Sequence, residues 1–503
     1  MLQWASNAHR RHPQTGAATF EIPAGHLASA NLMLFTEIVF APFLLLTLLA
    51  MALAGSRNRA QLGVLLLASY VFYGWWDVRF LALILFSTGL DYFVGAALAT
   101  ASNPRRRRAL LGLSLAGNLG LLGFFKYAEF FLESLRLSLA SIGIEAHLPT
   151  LRVLLPVGIS FYTFQSLSYT LDIYFRRLEP EPSLLRFMVF VSAFPQLVAG
   201  PIVRAREMLP QLRGNFFSQS DTAGLLLIFY GLAKKLFLAD ALGFALADRL
   251  FRNPQRFDAL DTMLGIYGYS FQIFCDFSAY SDIAIGLGLL LGLQIPTNFR
   301  RPYAASNPAD FWRRWHITLS TWFRDYLYIP LGGNRVAKPR LVANLFLVML
   351  LAGLWHGASW TFVAWGALHG AALVGHRLWR DRVPDRPPAS PFRRVLSVVL
   401  LFHFVSFAWV VFRAPSFEVA LQVYERLAVW GGPSKLAEPA ACAALLCALL
   451  VHAFCEGRIR SWAAGFARMH FAVQGLLIYG MLAVLFLSTR QEIADRLFIY
   501  FQF

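Results

Sequence analysis

From Leu341 to Gly375 the sequence contains no charged residue. A lipid core about 30 Å thick is crossed by about 20 residues of helix, so this run is long enough to span. Comparable apolar runs begin at Leu34, Leu62, Phe80, Leu111, Val153, Leu184, Thr222, Thr262, Val395, Ala440 and Phe471. In hydrocarbon every backbone N–H and C=O must find its partner within the protein, which leaves helices or closed barrels. These runs are continuous rather than alternating, which argues against a barrel. The expected fold is an all-α polytopic membrane protein with about 11 transmembrane or re-entrant helices and additional interfacial ones. With 57% hydrophobic and only 15% charged residues, the composition lies well away from that of soluble domains, where about a quarter of residues are charged.

The net charge is +17. Its distribution speaks for orientation rather than for nucleic acid. Arg57 and Arg59, Arg105 to Arg108, and Arg176 with Arg177 fall in alternate short links, while the link "WWDVR" between them is nearly neutral. Basic loops stay in the cytoplasm, which places the start of the first span outside. The basic stretches 377–394 and 458–468 fit the same scheme. Residues 1–32 do not: they are polar and carry Arg10 and Arg11 on the outer side. They lack the apolar centre of a signal peptide. The expectation is a polar extension or a mis-assigned start, with translation beginning at Met33, followed by one membrane domain over 33–503. Cys275, Cys442, Cys447 and Cys455 have no paired-ligand spacing and read as small buried hydrophobes, with no disulfide framework and no metal site.

Within the membrane domain, residues 296–340 form a basic segment on the cytoplasmic side. "NPADFW" supplies Asn307 as an N-cap, Pro308 at the first helical position and Asp310 in the first turn. A helix is predicted from there to about Ile329, where Pro330 and "GGN" end it. Trp312, Trp315, Leu319, Trp322 and Phe323 make an apolar stripe on it, at home in the interface. Arg313, Arg314 and Arg324 project elsewhere. His316, one turn before Ser320, falls on the border of the greasy and charged faces.

A second histidine, His356 in "LAGLWHGASWTFVAWG", lies about 22 Å along a helix axis from Leu341. An ionisable group at such depth is by default a functional candidate; the plain alternative is a neutral imidazole bonded between helices. Gly353, Gly357 and Ser359 around it leave room for close helix approach or for a substrate. His369, His403 and His452 lack a distinctive neighbourhood and read as structural. "CDFSAYSDIAIGLG" places Asp276 and Asp282 in another apolar run. Buried carboxylates need partners, and pairing with arginines of the 300–340 segment, orienting a histidine, or lining a polar path are all open. The spacing H-x4-D at His376 and Asp381 lies in a basic loop and is taken as coincidence.

Together these stretches resemble the membrane-bound O-acyltransferases (MBOAT), specifically their bacterial alginate O-acetyltransferase-like branch. The resemblance rests on "LPVGISFYTFQSLSYTLDIY", "FPQLVAGPIVR", "CDFSAYSDIAIGLG", "FWRRWHITLSTWFRDYLYIPLGGN", "LWHGASWTFVAWGALHG" and the ending "FIYFQF". It runs from about Met33 to the end of the chain. It implies helices around a central tunnel, a multi-pass protein of the bacterial inner membrane, and catalytic residues at His356 and His316. Acyl donor, acetyl-CoA, enters from the cytoplasm without any resident cofactor. The acceptor hydroxyl belongs to an extracytoplasmic polysaccharide, with periplasmic acetyltransferase proteins as partners. Arg313, Arg314, Trp315, Ser320, Asp276 and Trp355 are the expected substrate and donor contacts. The rival readings are a transporter or flippase for a lipid-linked sugar, in which midplane ionisable groups are equally at home, and a structural subunit of an export complex.

Overall fold

The computed structural model describes residues 33–151, 153–383, 390–489, 498 and 499. Every regular element among them is helical. The predicted extension 1–32, and with it the question of the start, lies outside the described residues, as does most of the "FIYFQF" ending.

Helices α1 (Phe40–Ala54) and α2 (Asn58–Gly74) pack as a hairpin, followed by α3 (Leu81–Thr100). Helix α4 (Pro104–Leu122) starts where the Asn103 side chain accepts from the Arg105 N–H at 2.8 Å and Pro104 takes the first position. A π-turn at Gly123–Tyr127 carries it into α5 (Ala128–Ser141). Helix α6 (Ile159–Tyr174) is buried from Ile159 through Ile173 and packs on α3 and α4. Central burial on all faces explains how a run containing Ser160, Thr163, Gln165, Ser166 and Asp172 persists in a membrane protein.

After α7 (Leu184–Ser192), residues 193–203 are irregular yet fully buried. Non-helical backbone survives at such depth only when protein satisfies it. Here the Phe194 N–H donates to Ser69 Oγ at 3.1 Å and the Ile202 N–H to Thr318 Oγ1 at 3.0 Å. Helix α8 (Ala223–Ala233) continues through π-turns at Lys234–Ala239 and Gly243–Ala247 and lies against the long α9 (Ala259–Leu290). Then come α10 (Pro308–Trp312), α11 (Ile317–Phe323), α12 (Lys338–His356), α13 (Trp360–Arg382), α14 (Pro391–Arg413) and α15 (Phe417–Arg426). The last helices are α16 (Pro439–Leu450), α17 (Ile459–Ala467) and α18 (Phe471–Thr489).

Against the expected eleven or so segments, five described helices are both long and apolar enough to cross a membrane: Val78–Thr100, Pro104–Ser141, Ala259–Leu290, Lys338–His356 and Pro391–Arg413. The pair Pro439–Cys455 and Ile459–Ala467, bent by 72°, makes a sixth if counted as one span. The strict count is lower because several apolar runs are broken. The run from Leu184 ends in irregular backbone, and the run from Thr222 is interrupted by π-turns and lysines.

The helix predicted from Asn307 to Ile329 is also broken. Its cap is as expected, with Asn307 Oδ1 accepting from the Asp310 N–H at 2.9 Å. The helix then stops at Trp312, and His316 adopts a left-handed backbone conformation (φ 42°, ψ 55°). The reason is tertiary. Residues 298–300 run alongside, so that Asn298 O accepts from the Ile317 N–H at 2.9 Å and the Arg300 N–H donates to Arg314 O at 3.0 Å. Two of the three tryptophans also turn into the protein rather than outward, while Trp312 is half-buried. Trp315 and Trp322 are buried, and the Trp322 indole stacks on Phe164 at 3.9 Å while its N–H donates to Phe164 O. Among the cysteines, Cys275 is buried as expected but Cys442 and Cys447 face outward.

Candidate active site

The break at His316 turns its side chain inward. Instead of straddling an interface, the imidazole is fully buried (0% exposed). Phe277 of α9 meets it edge-on at 4.6 Å, and Phe161 of α6 lies at 6.5 Å. Burial pushes its pKa down, which keeps the ring neutral.

His356 is the last residue of α12. The chain leaves through extended Gly357, and α13 restarts where Ser359 Oγ accepts from the Thr361 N–H. A Cβ at Gly357 would lie 2.1 Å from the Phe362 ring, so only glycine fits this turn. The His356 ring is packed by Trp355 at 5.1 Å, Trp365 at 5.2 Å and Phe412 at 5.3 Å. The two imidazoles lie 6.4 Å apart, with Trp355 touching both. This is the distance between ring centres, and the two ring planes are inclined at 51°. The pair sits at the meeting of the protein's two apolar clusters: Phe161 and Trp355 belong to one, Phe277, Trp365 and Phe412 to the other.

Other predicted residues are placed differently. Trp315 points into the second cluster, against Trp409 at 5.0 Å and Phe299 at 5.1 Å. Ser320 closes its own turn: its N–H donates to His316 O at 2.9 Å and its hydroxyl to Trp315 O at 3.2 Å. Arg313, 70% exposed, and Arg314 both pair with Asp310, at 3.6 and 3.0 Å, on the surface. Asp276 and Asp282 do not pair with arginines of the 300–340 segment. Asp276 accepts from Lys235 Nζ at 2.7 Å and from the Ile499 N–H at 2.7 Å; Asp282 meets Lys234 Nζ at 2.6 Å. The lysines come from a π-turn of the neighbouring helix, and proximity in the chain gave no hint of that. His403 is bonded to Tyr267 at 2.7 Å, and His452 accepts from the Tyr303 N–H at 3.1 Å. His369 packs beside Trp365 at 4.8 Å, one ring removed from His356.

Sequence reading missed Lys126. Its ammonium donates to Trp355 O at 2.7 Å and His356 O at 3.1 Å. A lone lysine in "LLGFFKYAEFF" was the available signal.

Neither of two small cavities, each about 20 Å³, is lined by the histidines. One is polar, bounded by Ser278, Asp282, Asn298, Glu456 and Arg460; Phe299, in its wall, is 5.0 Å from Phe277, and Phe277 covers His316. The other, mostly apolar, is bounded by Phe35, Phe72, Tyr73, Val157 and Tyr280. Both draw on α9, the helix that carries Phe277.

Fold and site define a multi-pass helical membrane protein with two neutral-capable imidazoles gathered in its interior. Comparison with known proteins gives the family. Residues 175–415 match the model of MBOAT, the membrane-bound O-acyltransferase family. The chain is 42% identical over 404 residues to the probable alginate O-acetylase AlgI of Pseudomonas aeruginosa, covering 79% of this chain and 75% of that one. It is 39% identical to the peptidoglycan O-acetyltransferase of Helicobacter pylori, over 74% of each. To the teichoic acid D-alanyltransferase of Bacillus subtilis it is 28% identical, over 54% of this chain and 72% of that one. The chain belongs to the membrane-bound O-acyltransferase family.

Proposed function

We propose that this protein is an O-acetyltransferase of the bacterial inner membrane, moving acetyl groups from cytoplasmic acetyl-CoA toward hydroxyls of an extracytoplasmic polysaccharide. The observation that carries the reading is the convergence of His316 and His356, from separate elements, at 6.4 Å inside the helical body, in a chain whose relatives are named as acyl and alanyl transferases.

The chemistry follows. The accepting hydroxyl, on the sugar or on a serine of a periplasmic protein that hands the acetyl group on, is a poor nucleophile at neutral pH. A neutral imidazole at His356 takes its proton as the oxygen attacks the acetyl carbonyl. As the tetrahedral carbon collapses, the C–S bond breaks and the departing thiolate takes up that proton, leaving the O-acetyl ester and free thiol. His316, on the other side of the reacting oxygen, orients it. The aromatic shell of Phe161, Phe277, Trp355 and Phe412 excludes water, which would otherwise hydrolyse the donor. Arg313 and Arg314 stand on the basic surface, suited to the phosphates of coenzyme A. Periplasmic acetyltransferase proteins complete the transfer to the glycan.

The test is acetyl transfer from radiolabelled acetyl-CoA in membranes, with alginate and peptidoglycan offered as acceptors. His356→Ala and His316→Ala, expressed at wild-type level, should each lose at least about a hundredfold in rate, the lower end of what a positioned acid or base supplies. The Arg313→Ala/Arg314→Ala double variant should raise KM for acetyl-CoA; an unchanged KM removes those residues from donor binding. Full transfer by an inserted His356→Ala variant refutes the mechanism. A transporter would keep its activity without a base, so the same variant separates the two readings.

A further inference from the structure

The carboxyl end of α12 is held from outside. Lys126 Nζ donates to Trp355 O at 2.7 Å and to His356 O at 3.1 Å, and Ser160 Oγ lies 3.5 Å from it. The next residue, Tyr127, donates its hydroxyl to Leu354 O at 2.9 Å. Three successive carbonyls of the helix's last turn thus meet two neighbouring side chains of one π-turn. The ammonium also sits 5.8 Å from the Trp355 ring.

A lysine ammonium inside a membrane-spanning helix is costly, and π-turns concentrate at functional sites. Capping alone does not call for a charge here, because helix ends are commonly closed by glycine or by the tightening of the last turn. What distinguishes this end is its last residue. His356 is followed by an extended glycine and a short turn, so one of its two flanking peptides is unrestrained by helix. Helix ends fray, and a misplacement of about 1 Å can cost about a hundredfold in rate. A cation is also favoured at the negative end of the helix dipole.

We propose that Lys126 is a positioning residue for the reaction, its ammonium clamping the Trp355 and His356 carbonyls so that the His356 imidazole is held in its working place at the end of α12. The proposal rests on the assignment of His356 as the base. Lys126 acts through the backbone of His356 and takes no proton from substrate.

Lys126→Met keeps the length and apolar stem but removes the donor, Lys126→Arg restores a cation with several donors, and His356→Ala controls for the base itself. Each is assayed in membranes for kcat and for KM of acetyl-CoA, with folded protein counted by monodisperse elution in detergent. The expected result is a drop in kcat of at least tenfold in Lys126→Met at unchanged KM and wild-type folded yield, with Lys126→Arg recovering most of the loss. Wild-type kcat in Lys126→Met overturns the proposal, as does a rise in KM alone. Loss of folded protein in both Lys126→Met and Lys126→Arg assigns the lysine to assembly and also overturns it. If His356→Ala retains full activity, the base assignment has failed instead, and that outcome is separate from the behaviour of the lysine variants.

Discussion

At the scale of single residues, the costly features are charges held away from water. Lys235 is buried and meets both Asp240 at 2.8 Å and Asp276 at 2.7 Å. Removing one member of a buried ion pair costs about 3–5 kcal/mol, because its partner is left charged and dry. Lys235→Met strands two carboxylates and should lower the thermal midpoint in detergent strongly. Asp276→Asn removes one charge, leaves Asp240 to answer the lysine, and keeps an oxygen for the Ile499 N–H. It should cost much less, and the folded fraction should retain wild-type kcat. A large kcat loss in folded Asp276→Asn would return Asp276 to the reaction. The left-handed backbone at His316 (φ 42°) is another local expense. Such outliers persist only where surroundings over-determine them, and here the side chain so aimed is one of the two imidazoles.

At the scale of elements, the site depends on how tightly α12 and α13 approach. A Cβ on Gly353 would stand 2.2 Å from Phe362 O, and one on Gly366 2.4 Å from Met349 O. Both are backbone atoms that cannot swing aside. Gly353→Ala should push the helices apart at about 1–3 kcal/mol, the usual cost of overpacking. It should also lower activity at temperatures where the protein is still folded, since His356 ends the displaced helix. A variant matching wild type in both thermal midpoint and activity would remove the hairpin from the account. The same elements show how far sequence reaches. The apolar runs, the Asn307 cap and the burial of His356 were legible because they depend on local composition and spacing. The break at His316 was not, because the pattern around it reads as a continuous helix and the interruption comes from Asn298, which precedes that helical pattern in the chain. Lys126, Lys234 and Lys235 were visible as cations in greasy runs, yet their partners lie far off in sequence, at Trp355, Glu456 and Asp276.

At the scale of the described membrane domain, the basic loops gather in mutual contact. Arg107 donates to Leu98 O at 2.6 Å and Tyr174 O at 2.8 Å, beside Arg176 and Arg177. Asn58, next to Arg57 and Arg59, donates to Leu212 O at 3.0 Å, and Arg213 reaches Glu181 at 3.8 Å. Arg204 pairs with Asp325 of the 296–340 segment. These contacts join the first three basic links to one another and to the 296–340 segment, all of which charge asymmetry assigns to the cytoplasm. Residues beyond α5 lie at the far end of the span Pro104–Ser141 from Arg105, and His147 there is exposed. The proposed entry of donor from the cytoplasm and acceptor from the opposite face requires this orientation. In a background with the four native cysteines replaced, a single cysteine at His147 should react with a membrane-impermeant maleimide in spheroplasts. One at Arg335 should react only in inside-out vesicles. The opposite labelling would put the arginine-rich surface on the acceptor side. Cytoplasmic acetyl-CoA could then not be the donor that meets it, whatever the histidines do.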